Sequence, residues 1–269
     1  MTEEEFKPQV KYVFDQLGLK AKEIETCDAT QTPDFEVAGK IDKYTVELKI
    51  KGDDPEEIEA ENQILSRGEI AGRHIPVGPR NRLAAIISEG VKQINEHDPK
   101  GETYRVIWLH CAGQYPMEHN MRFHATLFGT ETMFSLNLLK GLTCYYFYES
   151  AFYSFRNCLD GAILTSVNAK GLSVQLCINT LSPRVNKFRQ SELAKGLSGA
   201  LCDPDKLHGL DNGVLIADCP FDRKDSNKIL GYLQAKYDLK HLQTNPMVKH
   251  TGKIQHDIRQ KTGFPPSRE

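Results

Sequence analysis

Between Pro33 and Lys51 the chain reads PDFEVAGKIDKYTVELKIK, and no other stretch constrains the fold as tightly. Tyr44, Val46, Leu48 and Ile50 alternate with Thr45, Glu47, Lys49 and Lys51. That period of two sets the apolar side chains on one face of a β-strand and the charged ones on the other. A shorter extended run over residues 34–38 precedes it, and residues 39–43 supply turn chemistry. Two paired strands with one apolar face need a cover for that face. Residues 3–17 offer one: Phe6, Val10, Val13, Phe14 and Leu17 fall at helical spacing, Gly18 stops the run, and Pro8 sits in the tolerant first turns. A short strand is expected near residues 21–27.

Beyond the strand pair, GDDPEEIEAEN (52–62) reads as a loop or short helix, and IAGRHIPVGPRNR reads as a loop because of its Gly, Pro and Arg content. Residues 82–97 place Leu83, Ile86, Ile87, Gly90, Val91 and Ile94 on one helical face. Residues 104–111 contain the continuous apolar run VIWL, the mark of a strand buried on both faces. Later signals are weaker. Residues 121–139 are helical or mixed, strands are expected at 144–148, 161–167, 172–179 and 213–217, and helices at 191–200 and 228–237. The order helix, strand, strand, strand, helix, strand predicts an α/β fold with a mixed sheet flanked by helices. The core is expected within residues 1–170. Residues 171–269 form a C-terminal α/β extension, separate or part of the same domain.

Composition narrows the class. With 39% apolar and 26% charged residues in 269, the chain can bury a sizeable core without staples. Its seven cysteines include no CxxC pair, so they read as small buried hydrophobes in a reducing compartment. The start, MTEEEFKPQ, has neither a basic nor an apolar leader segment, and no run approaches a membrane span, so a cytoplasmic protein is expected. Net charge is −2, but residues 1–62 hold 17 acidic and 8 basic side chains, which leaves the remainder basic. An acidic segment beside a basic one suits a metal site flanked by a phosphate-binding surface, and equally an uneven ordinary surface.

Asp34 opens the first strand of the pair, and Glu47 and Lys49 lie two apart on the second, on one face. An antiparallel pairing would bring two carboxylates and an ammonium together. Neighbouring carboxylates raise each other's pKa, and a divalent cation relieves the repulsion. Hard oxygens suit Mg²⁺, with Mn²⁺ as a substitute, and the Leu48 carbonyl is a further oxygen donor. Such an ion activates water and polarises a phosphoryl oxygen, while Lys49 would orient the water or stabilise transition-state charge.

Pro33-Asp34, twelve residues, then Glu47-Leu48-Lys49 resembles the PD-(D/E)xK motif of restriction-endonuclease-like nucleases. The order of elements over residues 3–111, extending toward 161–167, is also similar to that family's αβββαβ core. The resemblance implies metal binding by Asp34 and Glu47, catalysis by Lys49, and Mg²⁺-dependent phosphodiester cleavage, of DNA by the family's habit. It also implies an auxiliary acid on the first helix or strand, for which Glu5, Glu23 and Glu25 are candidates, and a helical Gln, for which Gln93 is the candidate.

Nucleases that cut both strands often pair, so a homodimer is open. A ribonuclease and a non-catalytic binding module remain alternatives. Arg67, Arg73, Arg80 and Arg82 flank the Gly/Pro loop, and Arg73, Arg80 and Arg82 are candidates for holding a nucleic-acid backbone; a solvated basic loop explains them as well. His74, in that loop, has no assigned role. Seven aromatics in CYYFYESAFYSF would stack bases or, more simply, fill a buried strand pair. His119 and His124 are five apart, which suits no single helix face, so no histidine metal site is expected there.

Overall fold

Helix α1 (Glu3–Gln16) starts at a capping box, in which the Thr2 hydroxyl accepts from the Glu5 N–H and the Glu5 carboxylate accepts from the Thr2 N–H. Phe6, Val10 and Phe14 recur on one face and are buried. Gly18, at φ +72°, turns the chain into a meander of β1 (Lys20–Glu23), β2 (Phe35–Ala38) and β3 (Lys43–Lys51). These three strands pair antiparallel, with Phe35 opposite Val46 and Ala38 opposite Lys43. The structure is a computed structural model, and it describes residues 1–25, 32–76, 78–245 and 248–253. Cys27, the side chain of His74 and residues 254–269 lie outside the described residues.

After β3 come α2 (Pro55–Ser66), β4 (Ala71–Pro76), α3 (Asn81–His97) and β5 (Tyr104–Cys111). The chain continues through α4 (Pro116–Phe128), β6 (Glu131–Ser135), β7 (Leu138–Tyr145), α5 (Ala151–Ser154), β8 (Gly161–Asn168) and β9 (Gly171–Ile178). The last part holds α6 (Val185–Phe188), α7 (Glu192–Gly196), β10 (Leu201–Cys202), α8 (Pro204–Leu207), β11 (Val214–Ile216), α9 (Ser226–Tyr237), β12 (Gln243–Thr244) and β13 (Val248–Lys253).

The fold is mixed α/β. A seven-stranded mixed sheet runs β1-β2-β3-β5-β8-β9-β10, with β3, β5 and β8 parallel. The pleat sorts its side chains. Tyr44, Val46, Leu48, Val106, Trp108 and Ile163 meet α1 on one face. Ile107, Leu109, Ala162 and Leu164 meet Leu83, Ile87 and Val91 of α3 and Phe123 and Leu127 of α4 on the other. β5 is therefore buried on both faces, which is why its sequence is continuously apolar. Trp108 satisfies its indole N–H on the Thr165 hydroxyl at 2.9 Å. A smaller sheet, β11-β7-β6-β12, packs Met133, Leu142 and Leu215 on Ile229 and Leu233 of α9.

The expected division at residue 170 falls in the tight turn between β8 and β9, two strands paired from Gly161 opposite Ile178 to Asn168 opposite Gly171. The chain instead forms two compact units, residues 1–52 with 77–247, and residues 53–76 with 248–269. The first contains both sheets just described. The second pairs β4 with β13, from Val248 opposite Pro76 to Lys253 opposite Ala71, beside α2. The segment IAGRHIPVGPRNR, expected to be a loop, thus contains a strand whose partner arrives from far along the chain.

Other expectations shift locally. Residues 121–139 divide into the end of α4 and a β-hairpin, and the strand expected at 144–148 ends at Tyr145, because Tyr146 turns at φ +60°. The helix expected over 191–200 is the short α7, residues 192–196. In the aromatic run, Tyr145, Tyr146, Phe147 and Phe152 are core residues, shared between a strand end and a short helix. Among the described residues no helix is long and apolar enough to cross a membrane.

Candidate active site

The antiparallel register of β2 and β3 brings Asp34 beside Glu47. The contact is reciprocal: the Asp34 N–H donates to Glu47 Oε2 at 3.1 Å, and the Leu48 N–H donates to Asp34 Oδ2 at 2.9 Å. Each carboxylate's other oxygen meets an ammonium. Glu47 Oε1 lies 2.6 Å from Lys49 Nζ, and Asp34 Oδ1 lies 3.1 Å from Lys7 Nζ. Asp34, Glu47 and Lys49 therefore converge as the sequence led one to expect, and Lys7, one turn above Glu3 on α1, joins them.

Glu47 is 2% exposed. Burial, reinforced by the Asp34 charge and only partly offset by Lys49, pushes its carboxyl up to about 8. Burial pulls Lys49 down, yet Glu47, Glu3 and Glu89 outweigh it and its pKa is raised. The two titrations belong to one pair, since each group holds its charge best while the other is charged. For the pair, Lys49 is the cation and Glu47 the carboxyl that resists ionisation.

Helix α3 closes the site from the opposite face. A Cβ at Gly90 would lie 3.1 Å from Glu47 Cγ and 2.9 Å from Ile107 Cδ1, so the helix approaches the strand closely here and an added methyl would have to displace those side chains. The helix runs counter to β3. Glu89 acts on Lys49, Gly90 faces Glu47, and His97 Nε2 lies 3.1 Å from Glu36 Oε1, opposite Thr45. Gln93 is thus carried one turn past Glu47, toward Thr45 and away from Lys49. Its side chain is buried and its Oε1 has no hydrogen-bond partner, but no hydrogen bond joins it to Asp34, Glu47 or Lys49.

Of the acids on α1 and β1, Glu3 is the one that reaches Asp34 and Lys49. Its carboxyl is raised by burial and by Asp34, against the pull of Lys49, the Ile50 N–H and Lys7. Glu5 instead closes the helix cap, Glu23 pairs with Lys11 at 3.2 Å on the surface, and Glu25 is exposed. The sequence pointed to Glu5 on this helix and not to Glu3. The direction of α1 across the sheet makes the choice, by bringing Glu3 and Lys7, four residues apart, to the same edge.

Of the arginines, Arg73 pairs within its own unit with Glu57 at 2.8 Å and Glu61 at 3.4 Å. Arg67 caps the end of α2 and is exposed. Arg80 and Arg82 stand at the start of α3, about 14 and about 10 Å along the helix from Glu89 at ~1.5 Å per residue, on the Lys49 side. A hollow of about 360 Å³, lined by Arg80, Asn81, Ser88 and Thr126 among others, lies at the same helix end. A hollow of about 1040 Å³ opens at the other end of β3, around Lys43, Thr45, His97 and Arg184, and is lined by none of Asp34, Glu47 and Lys49.

Among the described residues no set of three or more His, Cys, Asp and Glu side chains is arranged to hold a metal ion. Mg²⁺ asks for less, because one or two carboxylates suffice when it keeps its waters. The donor chemistry here fits such an ion: two hard carboxylates, one deeply buried and resisting ionisation because of its burial and its carboxylate neighbour. Compared with protein-family models, with curated proteins and with solved structures, the chain matches none.

Proposed function

We propose that this chain is a divalent-metal-dependent nuclease of the PD-(D/E)xK type, with a restriction-endonuclease-like core, hydrolysing phosphodiester bonds in DNA. The element order supports the reading: a helix, three antiparallel strands, a helix and a parallel strand, formed by α1, β1, β2, β3, α3 and β5. One observation carries it. Asp34 and Glu47 are interlocked by reciprocal hydrogen bonds from each other's strand, and Glu47, buried beside that second carboxylate, is pushed up to about 8, a setting that a divalent ion would relieve.

Asp34 and Glu47 would hold Mg²⁺ or Mn²⁺, with the Leu48 carbonyl as a further donor. When bound, such an ion supplies an activated water and polarises the scissile phosphoryl group. The protein's own groups do the rest. Lys49, fixed by Glu47 and kept protonated, places a positive charge where the pentavalent phosphorus gathers negative charge, or holds the attacking water. Lys7 holds Asp34 in place. Arg80 and Arg82 offer planar forks to backbone phosphates, which position a polymer without reading its sequence.

The test is cleavage of linear, circular and single-stranded DNA with Mg²⁺ or Mn²⁺, comparing wild type with Asp34→Ala and Lys49→Ala. Metal-dependent cutting lost in both variants is the expected result, and a cut circle would make the enzyme an endonuclease. Structured RNA, assayed in parallel, separates a ribonuclease. Silence on every substrate would overturn the reading.

A nuclease-like binding module without turnover is favoured by one observation: Lys7 and Lys49 already occupy one oxygen of each carboxylate. In that case Mg²⁺ leaves the melting temperature unchanged, whereas an ion that binds only the folded state raises it.

A further inference from the structure

The described cysteines are all free thiols, and two of them meet. β10 runs parallel to β9 in a register that sets Cys202 beside Cys177. Neighbouring strands lie about 4.8 Å apart, within the ~4.4–6.8 Å Cα separation a disulfide bridges. Both side chains belong to the core cluster that holds Phe123, Leu127 and Phe128 of α4. From that helix His124 places Nε2 3.5 Å from Cys202 Sγ, and the Tyr145 hydroxyl lies 3.9 Å from the same sulfur. His124 is half-buried and stacks its ring edge against Phe128 and Tyr145. Cys202 is thus surrounded by donors in an otherwise apolar setting, on strands that contribute nothing to the Asp34–Glu47 site.

We infer that Cys177 and Cys202 form a peroxide-sensitive dithiol, with Cys202 as the attacking sulfur, Cys177 as the resolving one, and His124 as the group that positions charge on Cys202. The electrostatics agree. Cys177, His124 and Tyr145 together lower the Cys202 pKa against the cost of burial, and the Cys177 thiol also has the Gln175 side-chain oxygen at 4.0 Å as an acceptor. Burial raises Cys177, which keeps its proton. A thiolate is the nucleophilic form of cysteine, so the two sulfurs have distinct roles.

The Cys202 thiolate attacks one oxygen of hydrogen peroxide. The O–O bond breaks, hydroxide leaves and takes a proton from solvent, and Cys202 becomes a sulfenic acid. The Cys177 sulfur then attacks that sulfur. The S–S bond forms, the S–O bond breaks, and the departing oxygen leaves as water with the Cys177 proton. Two thiols lose two electrons, and one peroxide becomes two waters. The product ties β9 to β10 at the edge of the large sheet.

The experiment treats the reduced full-length chain with hydrogen peroxide, blocks remaining thiols, and maps peptides by mass spectrometry. The expected product is a 177–202 cross-link, reversed by dithiothreitol. It disappears in Cys202→Ser. In Cys177→Ser the reaction stops at a sulfenic acid on Cys202 that dimedone traps. His124→Gln, which keeps a side chain of similar reach, slows cross-linking by about tenfold or more, as loss of a thiolate-favouring neighbour should, without lowering the melting temperature. Oxidation confined to Cys27 or the half-buried Cys158, with Cys177 and Cys202 still alkylatable after unfolding, would overturn the inference. A rate unchanged in His124→Gln would overturn the role of His124.

Discussion

Asp160 and Glu47 are both buried carboxylates of the large sheet, 1% and 2% exposed, and their surroundings are opposite. Asp160 precedes the first residue of β8 and has a donor for every lone pair it presents. Ser182 Oγ (2.9 Å) and Arg184 Nε (3.1 Å) donate to Oδ1, while the Arg105 N–H (2.9 Å) and Arg184 Nη2 donate to Oδ2. Arg184 also reaches the carbonyls of Gly101 and Thr103, both at 2.8 Å, so this ion pair fastens the approach to β5 to the start of β8. Glu47 lies in the second half of β3, with one backbone N–H, one ammonium and a second carboxylate beside it. A buried carboxylate with a full set of donors holds a fold together. One that shares its pocket with another carboxylate is raised, and it is the group that the proposed metal ion would relieve. The division follows the sheet, since open α/β sheets gather ligands at the carboxyl ends of their strands.

The sharpest way to break this comparison is to remove each carboxylate's function in turn. Asp160→Ala should cost about 1–3 kcal/mol by leaving the buried Arg105 N–H and Ser182 hydroxyl without their acceptor, read as a lowered urea midpoint. Asp34→Ala should leave the midpoint near wild type and reduce metal-dependent cleavage by about 10²–10³-fold, on the scale of losing one transition-state stabilising group. Equal destabilisation in the two variants would show that Asp34, too, is a structural carboxylate.

The pH dependence of stability sharpens it next. Glu47 is raised from 4.5 to about 8, so the folded state holds its proton more tightly than the unfolded chain. Its contribution is fully present below pH 4.5 and is lost as pH rises through 8. At about 1.4 kcal/mol per unit, the loss is of order a few kcal/mol. Glu47→Gln should flatten the decline between pH 5 and 8, and Mg²⁺ should offset it in wild type. Asp98, near the start of β5, has the opposite sign. Burial works to raise it, but the N–H groups of Glu102 and Thr103, the Thr103 hydroxyl and Arg105 hold it below 3.8. Its contribution is present above pH 3.8 and disappears as pH falls, so Asp98→Asn should change only the acid limb. Parallel pH curves for wild type and Glu47→Gln would remove the distinction between the two ends of the sheet.

The two kinds of carboxylate were unequally legible in the sequence. Glu47 and Lys49 could be assigned to one face because Tyr44, Val46, Leu48 and Ile50 fix the strand, and a two-residue period leaves no choice. β5 was legible because both its faces are covered, and α3 because six apolar positions share a stripe. Asp160 was invisible, since its partners Arg184, Ser182 and Arg105 are brought together only where the segment after β9 returns to the starts of the parallel strands β5 and β8. The same holds for β4, whose pairing with residues 248–253 depends on a distant strand that overrides its Gly and Pro content. The boundary drawn at 170 falls inside a weakly patterned hairpin, β8–β9, which carries the sheet across it without a composition change.

Gly90 ties these lessons together. Its helical periodicity was visible, but the reason for a glycine was not, because Glu47 approaches from another element. Gly90→Ala should destabilise by about 1–3 kcal/mol, the usual cost of overpacking, since Ile107 Cδ1 at 2.9 Å and Glu47 Cγ at 3.1 Å must both yield. Cleavage should fall more than stability alone explains, because the displaced atom carries the Glu47 carboxyl. A variant as active as wild type would mean that the position of Glu47 is not critical.

The smallest effect is expected at Glu3, and it tests how far the site extends. Glu3 is half-buried and interacts with Lys49, Asp34, Lys7 and the Ile50 N–H. Glu3→Gln keeps an oxygen for Ile50 and removes one negative charge. If Glu3 contributes to the field that attracts a cation, the Mn²⁺ concentration for half-maximal thermal stabilisation should rise severalfold, less than the tenfold that corresponds to about 1.4 kcal/mol. Glu5→Gln is the matched control. It retains a side chain able to accept at the cap, two residues away, and Glu5 lies on the exposed side of α1. Its Mn²⁺ response should equal that of wild type. A shift in Glu3→Gln alone makes α1 part of the cation site; identical curves for the two variants would confine that site to β2 and β3 and leave Lys7 as the helix's sole contribution, through Asp34.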